Sequence, residues 1–343
     1  MKNRYLRNME QELISIITPF KNTESFLAEC VQSIINQCYT NWELLIVDDG
    51  STDASYRIVS AFAKNDRRIK LYKNPGTGII SALQYGFSNS RGTFITRMDS
   101  DDVMTPNKLA VLAHNLKTFG KGHVAVGQVR YFRKDGLSLG YKSYQNWLNS
   151  LTQTGNNYSE IYKECVIPSP CWMVYRQDFI NCNAFNNQIY PEDYDLAFRF
   201  YENQLTIIPC SKKIHLWRDY STRTSRTHEH YAENHFLPLK LKYYLKLDYN
   251  PKQPLVIWGA GKKGKTVAKL LLENAVNFIW ICDNSKKIGK EIYGIVMHDI
   301  SRLKTLTNPQ CLITVANKAE QKTIQAYLQS IGLLPSKHYF FLC

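Results

Sequence analysis

The sequence predicts an α/β protein: a mostly parallel sheet with helices on both faces, followed by a second, smaller α/β unit. Three observations carry this. Between residues 13 and 98 short apolar runs alternate with amphipathic helical stretches, the pattern of successive strand–helix units. Three of those runs end in polar loops, at residues 18–24, 48–53 and 99–102, and in open sheets of this kind ligands collect beyond the carboxyl ends of the strands. Far downstream, a strand at Leu255–Trp258 runs into Gly259-Ala260-Gly261-Lys262-Lys263-Gly264, a glycine fingerprint between strand and helix.

In order, residues 13–18 read as a strand that stops at Pro19. Residues 24–37 are a helix with Phe26, Leu27, Cys30, Val31, Ile34 and Ile35 on one face. Residues 43–47 form a strand leading into Asp48 and Asp49, then a helix runs through Ile58, Val59 and Phe62, with a short strand at 69–72. The 74–78 segment, with Pro75, Gly76 and Gly78, is a turn. A helix through Ile79, Ile80, Leu83 and Phe87 precedes the strand at 94–98. Residues 107–119 read as a helix and 123–132 as one strand; 133–166 are polar and aromatic and give no periodicity. A strand is expected at 172–175, and Pro191 with Glu192, Asp193 and Asp195 opens a helix.

Composition narrows the function classes. The 343 residues are 44% hydrophobic and 21% charged, an ordinary folded protein. The formal charge of +14 favours anionic partners, but there is no zinc-ligand spacing, RNA-recognition signature or basic helix-turn-helix pattern, so nucleic acid is not an expected partner. No apolar run approaches the roughly 18 residues of a membrane span. Lys2, Arg4 and Arg7 precede an apolar run, yet Glu10, Gln11 and Glu12 interrupt it, and 13–17 is too short for a signal-peptide core. The nine cysteines include no CxxC pair and read as reduced, structural thiols. The expected location is the cytoplasm.

Asp99, Asp101 and Asp102 place three carboxylates within four positions, an arrangement that repels itself unless something cationic intervenes. A divalent cation such as Mg2+ or Mn2+, completing its shell with substrate phosphates, is one answer. A solvated turn with an N-cap aspartate before the helix near Pro106 is the other. Asp48 and Asp49 are placed to hydrogen-bond a base or ribose, so a nucleoside-diphosphate pocket reconciles two acidic loops with a phosphate ligand. Glu192 and Asp193 read either as an acidic first helical turn or as a general base at the head of a helix.

In combination, ISIITPFKN, NWELLIVDDGSTD, the turn at Gly78 and RMDSDD resemble a family 2 glycosyltransferase over about residues 12–220. The resemblance implies a GT-A nucleotide-diphospho-sugar transferase fold. It implies that Pro19, Phe20, Asn22, Asp48, Asp49, Gly78, Asp99 and Ser100 contact the nucleotide, that Asp99 and Asp101 hold Mg2+ or Mn2+ with the diphosphate, and that Asp193, beside Glu192, is the base of an inverting transfer. The QxxRW motif of processive polymerases is absent, which implies one sugar added at a time. A basic residue near the domain's end is also expected, with Arg218, Arg223, Arg226, His228 and His230 competing for a phosphate-neutralising role against a solvated face. The acceptor class implied is a glycan or lipid-linked hydroxyl in bacterial surface polysaccharide synthesis.

The expected domains are residues 1–234, a helical linker at 235–252 and a Rossmann-like accessory domain at 253–343. The linker stretch, with Lys240, Lys242 and Lys246, reads as an amphipathic helix packed on the protein or as a peripheral contact with the inner face of the membrane. In the tail, Gly259, Gly261, Gly264 and Asp283, at the end of the next strand, form a second candidate nucleotide site. A structural or homo-oligomerising role competes with ligand binding there. Two other functions stay open from the tail: an NAD(P)-dependent oxidoreductase and a nucleotide-sugar-binding regulatory protein.

Overall fold

The computed structural model describes residues 12–133, 136, 139–185, 188–223 and 236–343. The chain divides into two compact units, residues 1–157 with 167–223, and residues 158–166 with 224–343.

The first unit is built on a seven-stranded sheet in the order β3-β2-β1-β4-β8-β6-β9. Its elements are β1 (Ile14–Phe20), α1 (Glu24–Ile35), β2 (Trp42–Asp48), α2 (Ser55–Asn65), β3 (Ile69–Lys73), α3 (Ile79–Ser88), β4 (Phe94–Arg97), β5 (Val103–Met104), α4 (Lys108–Phe119), β6 (His123–Val126), β7 (Gln128–Phe132), α5 (Leu139–Thr154), β8 (Trp172–Tyr175), α6 (Arg176–Asn181), α7 (Glu192–Glu202), β9 (Thr206–Ile208) and β10 (Lys213–Arg218). Strands β1 to β4 are parallel, and β4 pairs with β8 antiparallel. On one face Ile14, Ile16, Leu44, Ile46 and Phe94 pack with Leu27, Val31 and Ile34 of α1 and Leu109, Leu112 and Leu116 of α4. The strands are buried on both sides, which is why their sequences are nearly continuous apolar runs.

Three local expectations are corrected. Strand β1 continues through Pro19 to Phe20. β4 pairs with β1 only over Ile14–Ile17, so at Pro19 that side of the strand has no ladder for a missing N–H to break. The stretch 123–132 is two strands, not one: β6 lies in the large sheet and β7 in a three-stranded sheet ordered β5-β10-β7. The chain switches at Gly127, where a Cβ would sit 2.2 Å from Ile214 Cδ1. Within 133–166 lies the helix α5, whose inner face is polar for a reason. Asn149 donates to Val129 O and accepts from Val129 N–H, each at 2.9 Å, and Gln145 Oε1 accepts Tyr131 N–H at 2.7 Å. Side-chain amides thus replace a neighbouring strand along β7, and an apolar stripe is not needed.

The second unit contains α8 (Phe236–Leu247), β11 (Leu255–Trp258), α9 (Lys262–Glu273), β12 (Ile279–Cys282), β13 (Glu291–Ile292), β14 (Ile295–Asp299), β15 (Gln310–Ile313), α10 (Lys318–Ser330) and β16 (Tyr339–Phe341). Its sheet runs β13-β14-β12-β11-β15-β16, parallel except for the β13–β14 hairpin, and the hairpin was not foreseen. Lys240 is not part of a basic surface. It is buried, donates to Lys163 O at 2.7 Å and Leu342 O at 3.0 Å, and burial pulls its ammonium down to about 8. Lys242 and Lys246 are the exposed lysines of that helix. No helix among the described residues is long and apolar enough to cross a membrane.

Candidate active site

The carboxyl edge of β1, β2 and β4 gathers the acidic loops of the first unit. The amino edge shows what a satisfied acid looks like: buried Glu43 accepts from Ser15 at 2.7 Å and Lys70 Nζ at 2.6 Å. Burial would raise its carboxyl, but Lys70 and Arg91 N–H hold it below its usual value.

Pro19 and Phe20 are buried within β1. Asn22, at φ +51°, accepts Thr52 N–H at 2.8 Å while its own N–H donates to Ser51 Oγ at 3.1 Å, stitching the β1 and β2 loops together. Asp48 is buried and its Oδ1 accepts Ser51 N–H at 3.0 Å. Asp49 Oδ1 accepts from Asn74 at 2.7 Å and from Gly78 N–H at 2.8 Å, which fixes the 74–78 turn. Gly78 has φ +91°, a backbone that side chains rarely adopt, and a Cβ there would lie 3.5 Å from Tyr190 Oη.

The turn after β4 is joined to the head of α7 by a residue not foreseen from sequence. Arg97 is 5% exposed; its Nε donates to Asp99 Oδ1 at 2.9 Å and its Nη1 to Glu192 Oε1 at 2.8 Å. The two acidic motifs therefore share one guanidinium, Arg97 meeting Glu192 across 95 residues of chain. Glu192 Oε2 is buried with no hydrogen-bond partner among the described residues. Asp193 accepts Tyr194 N–H at 2.8 Å. Burial first, then Glu192 and Asp99, push its carboxyl up to about 7, with Arg97 opposing. Asp195 is set apart: it pairs with Arg199 at 2.8 Å and serves the helix. Of the α7 acids, then, Asp195 is structural, and Glu192 and Asp193 face the Asp99 turn.

Asp101 Oδ2 accepts from Tyr220 Oη at 2.8 Å and lies 4.0 Å from Arg223 Nε. Burial and then Asp102 push the Asp101 carboxyl up to about 6, with Arg223 opposing. Ser100 is buried in the turn. Among the described residues no hydrogen bond reaches Asp99 Oδ2 or Asp101 Oδ1. No trio of His, Cys, Asp or Glu among them encloses a metal position. This donor set fits an ion that takes one or two carboxylates and fills its shell with water and phosphate oxygens, the habit of Mg2+ and its relatives.

Of the competing basic residues, Arg218 donates to Asp101 O at 2.7 Å and Glu29 at 2.5 Å, with its guanidinium 4.8 Å from the Phe26 ring and 4.5 Å from Phe132. It braces the turn. Arg223, with a side chain 11% exposed, faces the Asp101 carboxylate. Neither is a solvated face. Arg226, His228 and His230 lie outside the described residues.

Comparison with known proteins completes the picture. Among solved structures, S. aureus TarS 1–349 in complex with UDP-GlcNAc superposes with a TM-score of 0.52 at 16% identity, over 69% of this chain and 68% of that one. The mannosyltransferase PcManGT from Pyrobaculum calidifontis, in complex with GDP-Man and Mn2+, gives 0.51 at 16% identity, over 78% of this chain and 76% of that one. Both likenesses concern the fold, which is GT-A. Glycosyltransferase GlyG of Streptococcus pneumoniae is 29% identical over 222 residues, 63% of this chain and 74% of GlyG. An uncharacterised glycosyltransferase of Haemophilus influenzae is 41% identical over 102 residues, 29% of this chain and 41% of that protein. Residues 15–182 match the family model described as Glycosyl transferase family 2. By its fold, its acidic motifs and this match, residues 15–182 form a glycosyl transferase family 2 domain.

Proposed function

We propose that the chain is an inverting, metal-dependent glycosyltransferase. It moves a sugar from a nucleoside-diphosphate donor, a UDP-sugar, to a hydroxyl of a glycan or lipid-linked acceptor in bacterial surface polysaccharide synthesis. The observation that carries this reading is Arg97, which ties Asp99 and Glu192 into one pocket with Asp193 beside them. In this reading Asp48, Asp49, Asn22, Gly78, Ser100 and the backbone at Pro19 and Phe20 form the nucleotide side. Asp99 and Asp101 hold Mg2+ or Mn2+, which as a Lewis acid stabilises the charge growing on the leaving diphosphate. Asp193 takes the proton of the attacking hydroxyl. Glu192 is paired with Arg97, which leaves Asp193 as the acid of this pair placed to take a proton; that supports a single displacement with inversion. The nucleotide sugars bound in TarS and PcManGT support the donor class. The +14 charge supports an anionic acceptor or membrane face.

Thermal unfolding with UDP-, GDP- and dTDP-sugars, with and without Mn2+, tests the donor. A true ligand at about a hundred times its Kd stabilises by about 2.7 kcal/mol. If no nucleotide sugar protects the protein in Mn2+, the reading fails. Asp101 adds a pH signature. Its carboxyl must lose a proton to bind a cation, and it sits at about 6. Mn2+ affinity measured with UDP present is therefore expected to fall as pH drops below that value and to level off above it. Asp101→Asn should remove both the affinity and the pH slope, read by isothermal titration calorimetry.

We also propose that the loop at Gly259, Gly261 and Gly264 holds a phosphate of a second nucleotide, with Asp283 exposed at the end of β12. A Cβ at Gly259, where φ is +125°, would lie 2.5 Å from Thr314 Oγ1, and one at Gly264 would lie 2.1 Å from Gly259 O. Those two glycines are demanded by packing. Gly261 has φ −80° and open space around a would-be Cβ, so nothing inside the protein requires a glycine there, whereas close approach of a phosphate would. Gly261→Val is expected to leave the melting temperature unchanged and abolish binding of NAD+ or UDP to this unit. Undiminished binding would reject the second site.

A further inference from the structure

Behind the Asp99–Asp101 turn lies a chain of ionisable side chains that the roles above leave unused. Lys108, His215 and Asp102 are each fully buried. Lys108 Nζ lies 3.3 Å from His215 Nδ1, and His215 Nε2 lies 3.0 Å from Asp102 Oδ2. Asp102 Oδ1 accepts Arg218 N–H at 2.7 Å, so both carboxylate oxygens are engaged inside the protein. Lys108 also donates to Pro170 O at 2.5 Å and sits 3.9 Å from Met98 Sδ, the residue before Asp99.

The direction of the chain follows from donor chemistry. Burial first, then Lys108, hold the imidazole well below its ordinary value, so it is neutral and carries one N–H. A lysine ammonium only donates, which makes Nδ1 the acceptor and puts that hydrogen on Nε2, facing Asp102 Oδ2. Lys108 thus donates to His215 and His215 to Asp102. A buried network of this kind is a poor way to gain stability, since apolar packing of the same volume does as well. What it supplies is position. Lys108 opens α4, Pro170 precedes β8 and His215 belongs to β10; all three meet at the turn, which Asp102 N–H closes onto Asp99 O at 3.3 Å.

We propose that Lys108 and His215 are positioning residues for the metal–diphosphate clamp. They act through Asp102, drawing that carboxylate inward so that Asp99 and Asp101 alone face the ligand. The proposal rests on the reading of Asp99 and Asp101 as that clamp. Released from His215, Asp102 would be free to turn a third carboxyl group toward the ligand, and the neighbouring carboxylates would lose their fixed spacing.

The test measures Mn2+ affinity in the presence of UDP by isothermal titration calorimetry, with near-UV circular dichroism as the fold control. In His215→Gln the amide nitrogen reaches the place of Nε2, and affinity is expected to stay near wild type. His215→Asn is one methylene too short to reach Asp102, and affinity is expected to fall about 10–100-fold, the usual worth of a residue that orients a metal ligand. Lys108→Met should fall in the same range, and combining it with His215→Asn should add little, because both break one chain. Wild-type Mn2+ affinity in a folded His215→Asn or Lys108→Met protein overturns the positioning role and leaves the clamp standing. A wild-type protein that binds no Mn2+ with UDP overturns both. Should the buried variants not fold, Asp102→Asn, nearly identical in shape, carries the test: reduced affinity is expected, and unchanged affinity overturns the proposal.

Discussion

Asp193→Asn is expected to lower turnover by about 10²–10⁴, the range typical of a lost general base, while donor binding in the presence of Mn2+ stays near the wild-type level. The side chain keeps its size and its place beside Tyr194 N–H; only its ability to take a proton is removed. A second signature accompanies the loss. A base works in its ionised form, and burial with Glu192 and Asp99 nearby pushes this carboxyl up to about 7. Wild-type turnover should rise as pH passes upward through that region. The residual turnover of Asp193→Asn should lack this rise. Metal at Asp99 would cancel part of the neighbouring negative charge and move the midpoint downward, so the profile is best recorded at several Mn2+ concentrations. Full turnover in Asp193→Asn would show that another group takes the proton.

The split between what the sequence disclosed and what it hid is physical. The acidic turn at Asp99–Asp102 was legible as a candidate site because carboxylates crowded at a strand end are costly and local. The parallel core was legible because strands buried on both faces read as apolar runs. Arg97, Lys108 and His215 were not, since each meets its partner far along the chain, at separations of 95, 107 and 113 residues. A signal existed all the same. Arg97 sits in FITR, a strand with every residue buried, and an arginine in such a place needs a buried partner. Lys108 occupies the same helix face as Leu112 and Leu116 of α4, where a charge is equally out of keeping. Helix α5 stayed hidden for the opposite reason: its inward amides satisfy the edge of β7 and mask the apolar period.

Arg97→Met is the substitution expected to cost the most stability, about 3–5 kcal/mol, the usual penalty when one partner of a buried ion pair is removed. Methionine is apolar and flexible enough to occupy much of the arginine's space, so the loss is chiefly electrical. Glu192 and Asp99 would be left facing each other with Asp193 beside them, and no cation between. The sign of the pH dependence separates this from a packing defect. Carboxylates deprived of their cation have folded-state values raised above the unfolded ones, near 4. Below that value all forms are protonated and the variant loses little on this account. Above it the unfolded chain releases protons that the folded chain retains, and the deficit grows until pH passes the raised values. Urea unfolding at pH 5 and pH 8 should therefore show a larger gap between variant and wild type at the higher pH. A gap equal at both would assign the loss to packing. Arg97→Lys should recover only part of it, because an ammonium lacks the planar fork that reaches Asp99 and Glu192 at once.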